Sequence, residues 1–234
     1  MLAIYKREMR AYFTTPIGYV FAAIFLAFSA AVFTYTTLYA LSSDTTDYFT
    51  IMLFSFIILL PLLTMKTLSE ERKMKTEQLL LTSPVSLTGM VCAKFLAAFT
   101  VFFGCMLLTS LNFIILYTHS EPNTAIILGN LAALILVGMA FLSIGLFVSS
   151  LTESQLAASV ITVAILLVLL VIGFAGNLIG APWLRFLLSG LSVFSRFQNF
   201  TNGVFDIAAL VYYVSLTAVF LFLTVRVYDR RRFA

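Results

Sequence analysis

The sequence is poor in charged residues. Asp, Glu, Lys and Arg make up 10% of its 234 residues, whereas about 25% is usual in soluble globular proteins. Hydrophobic residues make up 62% of the chain and include 24 Phe. A soluble domain of this size could not hide so much apolar surface, because a large share of its surface stays in water. The sequence therefore predicts an integral membrane protein.

Histidine and cysteine are also scarce, which excludes several kinds of site. Cys92 and Cys105 lie in one apolar run, too far apart along a helix to form a disulfide bond. His119 is the one histidine and is expected in a solvated loop, so the chain has no set of histidine ligands for a metal ion or haem. No phosphate-binding loop of the form G-x-x-x-x-G-K-[ST] occurs. We therefore expect no catalytic residue and no metal on this chain.

Six windows without Asp, Glu, Lys or Arg are long enough to cross a hydrocarbon core of ~30 Å as helices. They are rich in Phe, Leu and Ile and lack the alternating pattern of barrel strands. The sequence thus predicts an all-α membrane domain that occupies residues 1–234. The six expected spans are 17–41, 48–68, 93–117, 125–150, 155–179 and 207–226.

The positive charges predict the orientation of these spans. With six crossings, all Lys and Arg residues except Arg185 and Arg196 fall on one side of the membrane. The positive-inside rule places that side in the cytoplasm, together with both termini. No Asp, Glu, Lys, Arg or His is expected deep inside a span, and this argues against a proton-coupled carrier. Energy for uphill transport would have to come from another subunit.

Residues 1–15 have the pattern of an amphipathic helix that lies at the membrane surface. Thr15 is expected to cap the next helix, with Pro16 at its first position. The segment is either a plain basic anchor or an elbow helix that braces a partner subunit. Its expected apolar face carries Leu2, Tyr5, Met9, Tyr12 and Phe13, and its basic face carries Lys6, Arg7 and Arg10.

The longest connection on the basic side runs from Thr67 to Lys94. Thr67 and Glu70 match a capping box, and the i,i+4 pairs Glu71–Lys75 and Lys73–Glu77 are typical of a water-exposed helix. Three leucines follow, and Pro84 is expected to end the helix. This pattern fits either a solvated loop that touches the membrane or a surface on which another protein docks.

The outer segment 180–206 is longer and semi-polar. Trp183, Arg185 and several Phe predict short helices at the outer interface or dipping into it, either as an ordinary loop or as a gating element. Four polar residues inside the second and fifth spans could line a path between protomers or could bond within the bundle. They are Ser55, Ser159, Thr162 and Asn177.

Several pieces of the sequence carry a resemblance to a known family. They are K-R-E-M-R-A-Y-F-T-T-P-I-G-Y-V-F (6–21), P-L-L-T-M-K-T-L-S-E-E-R-K-M-K-T-E-Q-L-L-L-T-S-P-V-S (61–86), S-S-L-T-E-S-Q (149–155), and a tail from F-Q-N-F-T-N-G-V-F-D (197–206) to Y-D-R-R-R-F (228–233). The chain resembles the permease subunits of ABC-2 type ABC transporters, in particular bacterial permeases linked to gliding motility or multidrug export. The second piece is the most specific.

The resemblance implies a permease fold like that of type V exporters, with an elbow helix at residues 1–14, outer re-entrant helices at 181–205 and the second and fifth spans as the path-lining pair. It implies that residues 69–84 form a coupling helix, within a cytoplasmic coupling segment 69–92, and that a second cytoplasmic contact follows the fourth span. The matching positions are Glu70, Glu71, Arg72, Glu77, Thr82, Ser83 and Pro84 in the first contact, and Thr152, Glu153 and Ser154 in the second.

The expected function is therefore that of a non-catalytic permease subunit in a bacterial inner membrane. It would export an apolar or amphipathic substrate, paired with a second permease subunit and with a cytosolic ATPase that holds ATP and Mg. A subunit that transmits motion to a partner protein, or a channel that uses no energy, remains an alternative at this point.

Overall fold

The computed structural model describes residues 1–75, 86–120, 122–178, 192–201 and 206–232, without the side chains of His119, residues 174–178 and Asn199. The described ranges form α-helices and contain no β-strand. The helices are α1 (Leu2–Thr14), α2 (Pro16–Phe33), α3 (Thr46–Thr64), α4 (Ser69–Lys73), α5 (Leu87–Thr109), α6 (Asn112–His119), α7 (Thr124–Leu151), α8 (Gln155–Leu178), α9 (Val193–Thr201) and α10 (Ile207–Arg232).

Six helical stretches among the described residues are long and apolar enough to cross a membrane, as predicted. The first continues from α2 through a π-helical stretch, Thr34–Tyr39. The six stretches are Pro16–Tyr39, Thr46–Lys73, Leu87–Thr118, Thr124–Leu151, Gln155–Gly173 and Ile207–Arg232. The all-α membrane fold is thus confirmed.

The third span differs most from its predicted bounds of 93–117. It begins at Leu87, because the Ser86 hydroxyl accepts a hydrogen bond from the Gly89 N–H and caps the helix there. The connection on the basic side is therefore shorter than the expected segment 69–92. The span is also interrupted after Thr109, where a turn separates α5 from α6.

Helix α7 lies at the centre of the bundle and packs against α3, α5, α8, α9 and α10. Glycines allow this close packing. A Cβ atom at Gly138 would lie 2.3 Å from the Phe102 ring, and one at Gly145 would lie 2.2 Å from the Thr64 hydroxyl. Neighbouring rings of Phe25, Phe56 and Phe102 fill the space between α2, α3 and α5.

Helix α1 packs against α2 and α5. Helix α1 lies at one end of the bundle, which we call the basic end. The same end carries α4, the start of α5, the turn between α7 and α8, and the end of α10. Ile4 and Tyr12 are the buried residues of α1. Leu2 and Phe13, on the predicted apolar face, are exposed and do not pack on the bundle. That part of the face is free to contact a membrane surface, as expected for an amphipathic helix.

Candidate functional site

A buried lysine joins three elements at the basic end. Lys94 lies in α5, and none of its side-chain surface is exposed. Its Nζ atom lies 2.8 Å from Glu71 Oε1 and 3.0 Å from Glu8 Oε1. It also donates a hydrogen bond to the Thr67 carbonyl oxygen, at 3.1 Å. Among the described residues it is the one charged residue that is buried, and its three acceptors offset the cost of removing an ammonium from water.

Arg7 adds a second positive charge to this group. Its Nη2 atom lies 2.8 Å from Glu8 Oε1 and 2.7 Å from Glu71 Oε1. Partial burial lowers the pKa of Arg7, but the hydrogen bonds and negative charges of Glu8 and Glu71 outweigh this and hold the pKa above its ordinary value. We call Arg7, Glu8, Glu71 and Lys94 the ion cluster. Its charges sum to zero, and it connects α1, α4 and α5.

Tyr12 lies beside the ion cluster and connects α1 to α3. Its hydroxyl donates a hydrogen bond of 3.1 Å to the Leu63 carbonyl oxygen in the last turn of α3. That carbonyl is one of the last four of its helix, which have no donor within the helix. Burial raises the pKa of Tyr12 well above its ordinary value, so the phenol stays a donor at neutral pH.

Helix α4 is held on another side by the turn between α7 and α8. The Arg72 Nη2 atom lies 3.0 Å from Glu153 Oε1, and its Nη1 donates a hydrogen bond of 2.6 Å to the Leu151 carbonyl oxygen. The Leu151 carbonyl ends α7, and a guanidinium is well suited to bind the last carbonyls of a helix. The structure thus brings together Arg72 and Glu153, which the sequence analysis assigns to two separate contacts.

Ser149 of α7 caps the start of α4. Its hydroxyl accepts hydrogen bonds from the N–H groups of Leu68 and Ser69, at 3.2 and 3.1 Å, and lies 3.2 Å from the Met65 carbonyl oxygen, to which it donates. The N–H groups at a helix start have no acceptor within the helix, and Ser149 supplies one. Arg231, near the end of α10, donates a hydrogen bond of 2.7 Å to the neighbouring Ser150 carbonyl oxygen.

The predicted capping box at Thr67 and Glu70 is not formed. Helix α4 begins at Ser69, and the Thr67 hydroxyl donates back to the Thr64 carbonyl oxygen instead. Glu70 pairs with Lys66 at 3.2 Å. The predicted pair Glu71–Lys75 gives way to the ion cluster, because α4 ends at Lys73 and no longer places Lys75 on the same face.

The other predicted contact residues, Thr152 and Ser154, lie in the turn between α7 and α8. The Thr152 hydroxyl donates to the Val148 carbonyl oxygen at 3.3 Å, and the Ser154 hydroxyl lies 3.5 Å from the Ala157 N–H. Of the basic elbow residues, Arg7 enters the ion cluster, whereas Lys6 and Arg10 are exposed. At the next helix Pro16 stands first, as predicted, but the Thr15 hydroxyl bonds back to the Ala11 carbonyl and does not cap it.

The polar residues expected along a path bond within their own helices. Ser55 and Thr162 are buried and donate to the carbonyl oxygens of Met52 and Ala158, at 2.7 Å each. Ser159 donates to the Leu156 carbonyl oxygen at 2.9 Å. Several predicted site residues lie outside the residues that the structure describes. They are Glu77, Thr82, Ser83 and Pro84, the side chain of Asn177, and most of the outer segment 180–206 except helix α9.

Sequence reasoning missed Glu8, Lys94 and Ser149. The sequence predicts Lys94 at the edge of the third span, because a charge usually ends an apolar window. One signal in the sequence could have indicated that Lys94 lies inside a helix. Met90 and Val91 are apolar and stand four and three residues before it, on the same helical face, and the structure shows that both are buried. No such pattern marks Glu8 and Glu71. Each lies in a charged segment, which is typical of residues exposed to solvent.

The arrangement is a set of ionic connections between helices. Among the described residues there is no group of His, Cys, Asp and Glu that could hold a metal ion. The basic end also has a cleft of about 320 Å³ between α1 and α4, lined by the acidic residues Glu8, Glu70 and Glu71 and the basic residues Arg7 and Lys66. These features suit the transfer of movement between helices and contact with another molecule.

Comparison with known proteins identifies the family. The model of the ABC-2 family transporter proteins matches residues 33–226. No curated protein sequence matches the chain significantly. The family match covers well over half of the chain, includes α4 and the turn between α7 and α8, and agrees with the six spans and with the resemblance seen in the sequence. The chain therefore belongs to the ABC-2 transporter family and is a multi-pass membrane permease component of an ABC transporter.

Proposed function

We propose that this permease subunit takes its energy from a separate cytosolic ATPase subunit, through helix α4 at the basic end. One observation carries the proposal: α4 is joined by charged contacts to helices on two sides. Glu71 connects it to α1 and α5 through the ion cluster, and Arg72 connects it to the turn between α7 and α8. A push on α4 would therefore reach several membrane helices at once.

The surface of α4 leaves room for the ATPase. Met74 and Glu153 are largely exposed, and Glu70 lies at the rim of the cleft between α1 and α4. A cleft with charged walls and a Met beside it can receive a side chain of a partner protein. The positive-inside rule supports a cytoplasmic location for this end, where a cytosolic ATPase would meet it.

The proposed cargo is apolar or amphipathic, and the proposed direction is export. The buried surfaces of the spans consist mainly of apolar side chains, and the one buried charge that the described residues contain is already paired. The described residues thus offer little to bind a free ion. A second permease subunit, identical or related, would complete the transporter. ATP and Mg would bind to the ATPase, and this chain would perform no catalysis.

A charge-swap experiment on Arg72 and Glu153 tests the proposal. The complex is purified from its native membrane through a tag on this chain, and ATP hydrolysis by the purified material is measured in liposomes with an amphipathic fluorescent dye as probe. Arg72→Glu and Glu153→Arg should each lower dye transport per ATP hydrolysed by about tenfold, because each places like charges together. The double variant restores an opposite-charge pair and should recover most of the coupling.

The matched control is Arg10→Glu, which makes the same charge change at an exposed residue of α1. It should transport like the wild type. The proposal would be overturned if no ATPase co-purifies with the wild-type chain. It would also be overturned if both single swaps left the transport per ATP unchanged.

A further inference from the structure

A second concave surface at the basic end lies between the start of α5 and the end of α10. It is a groove of about 540 Å³, and none of its lining residues belongs to the ion cluster. Its polar end carries Arg226 and Arg232, and Asp229 is the one acidic residue among the described residues of the lining. The groove therefore has a net positive charge and would attract an anion.

The two arginines are available to a ligand. Arg226 is exposed, its guanidinium carbon lies 5.1 Å from the centre of the Phe222 ring, and its Nη1 atom lies 3.4 Å from Asp229 Oδ2. This long contact leaves most of the guanidinium donors free for another acceptor. Arg232 is exposed and has no acidic partner among the described residues.

The first turn of α5 adds further donors for an anion. Ser86, Leu87 and Thr88 line the groove. The N–H groups of a first helical turn have no acceptor within the helix and carry a partial positive charge. Here the Ser86 hydroxyl accepts a hydrogen bond from the Gly89 N–H. The N–H groups of Leu87 and Thr88 precede Gly89 in the same turn. This helix start alone would be a weak anion site, but it stands beside two arginines.

The rest of the groove is apolar. Leu87 and Cys92 line it from α5, and Leu221, Phe222 and Val225 line it from α10. Both helices are membrane-spanning stretches, so this wall continues from the charged end toward the hydrocarbon region. A groove with cationic donors at the level of the helix ends and an apolar wall beyond them matches a molecule with an anionic head and a hydrocarbon chain.

We propose that this groove binds one anionic phospholipid from the leaflet at the basic end. The phosphate lies between Arg226, Arg232 and the first turn of α5, and an acyl chain lies along Phe222 and Val225. A free phosphate would leave the apolar wall unused, and a zwitterionic lipid would gain less from the two arginines. The bound lipid would join α5 to α10, which are the helices that carry Lys94 and Arg231.

Cys92 provides a reporter for occupancy, because it lines the groove and is partly exposed. In a Cys105→Ala background it is the one thiol of the chain. The full chain in neutral detergent is alkylated with a maleimide in the presence of phosphatidylglycerol, phosphatidylcholine with the same acyl chains, or glycerol 3-phosphate. Phosphatidylglycerol should slow the alkylation, and the other two should not.

The arginines are tested with Arg226→Gln/Arg232→Gln. Its apparent affinity for phosphatidylglycerol should fall by more than tenfold, since each basic side chain near a membrane surface contributes roughly a fivefold factor. Arg230→Gln is the matched control, because Arg230 carries the same charge in the same helix but does not line the groove. It should bind like the wild type.

Three results would overturn the proposal. Equal protection by phosphatidylcholine would show an apolar groove without recognition of charge, and equal protection by glycerol 3-phosphate would show a phosphate site without a lipid. An equal loss of affinity in Arg230→Gln would show an effect of total charge only. If the double variant does not fold, the single variant Arg232→Gln at the exposed end of α10 should still lose affinity, and unchanged affinity there would count against the proposal.

Discussion

The Lys94 ammonium lies 2.8 Å from the Glu71 carboxylate, in a position where none of the lysine side chain reaches solvent. The two residues belong to α5 and α4, which the chain separates by a connection on the basic side. Glu8 of α1 completes the pairing from a third element. The contact between Lys94 and Glu71 therefore makes the position of α4 depend on the helices around it.

Lys94→Met should destabilise the protein by about 3 kcal/mol. The substitution keeps the volume of the side chain but removes one of the two cations that the described residues place against Glu8 and Glu71, both mostly buried, and leaves Arg7 as the other. Thermal unfolding in detergent measures the effect. The control is Lys94→Met/Glu8→Gln, in which the charges of the ion cluster again sum to zero and part of the stability should return. A melting temperature of Lys94→Met equal to that of the wild type would contradict the assigned role.

Tyr12→Phe should lower the free energy of unfolding by about 1–2 kcal/mol. The variant keeps the ring in its buried place but removes the donor to the Leu63 carbonyl oxygen. The carbonyl would then lie buried without a partner at the end of α3. Tyr19→Phe is a suitable control, because Tyr19 is exposed in α2 and should tolerate the same change. Equal stability of the two variants would show that the Tyr12 hydroxyl contributes nothing.

Gly145→Ala should disrupt the packing of α7 on α3. A Cβ atom there would lie 2.2 Å from the Thr64 hydroxyl oxygen and 3.0 Å from the Thr64 Cβ atom, so the Thr64 side chain or the helices must shift. We expect a loss of about 1–3 kcal/mol, typical of an overpacked interior. Gly104→Ala is the matched control, since a Cβ atom at Gly104 meets nothing within 4 Å. That variant should unfold at the same temperature as the wild type or slightly higher.

Asp44→Ala should destabilise the start of α3 at neutral pH by about 1 kcal/mol. The Asp44 carboxylate accepts hydrogen bonds from the Thr46 hydroxyl and N–H, at 2.7 and 2.9 Å, and these lower its pKa below the ordinary value of 3.8. Because the folded pKa is lowered, the stabilisation is complete above the ordinary pKa. It is lost as the pH falls through the folded value.

Melting curves of wild type and Asp44→Ala therefore test this pH dependence. Their difference should be constant from neutral pH down to about pH 5 and should shrink below about pH 4. A difference that grows toward low pH would contradict the hydrogen bonds assigned to the carboxylate.

The membrane helices could be predicted from the sequence because bilayer thickness sets their length and composition marks their ends. The start of α5 was harder to place: the prediction put it near Lys94, since a charge usually ends an apolar window. In the structure the helix begins at Leu87, and Lys94 is tolerated inside it because two carboxylates reach it. Local patterns contain no information on such partners from other segments.

The same limit applies to the candidate site. The family resemblance predicts Glu71, Arg72 and Glu153 as coupling residues, and the structure places all three in contacts between helices. The local pattern instead predicts a pair of Glu71 with Lys75. Helix α4 is too short for that pair, and Glu71 instead turns toward α1 and α5. The pairing of Arg72 with Glu153 depends on how α7 ends beside α4, which only the folded bundle determines.

The buried position of Lys94 restricts how α5 can move. A shift of this helix along its own axis by one turn, about 5.4 Å, would pull the ammonium away from both carboxylates and from the Thr67 carbonyl. Tilting about the level of Lys94 keeps all three contacts close to their present lengths. The contacts of Lys94 therefore oppose a sliding movement of α5 more strongly than a tilt.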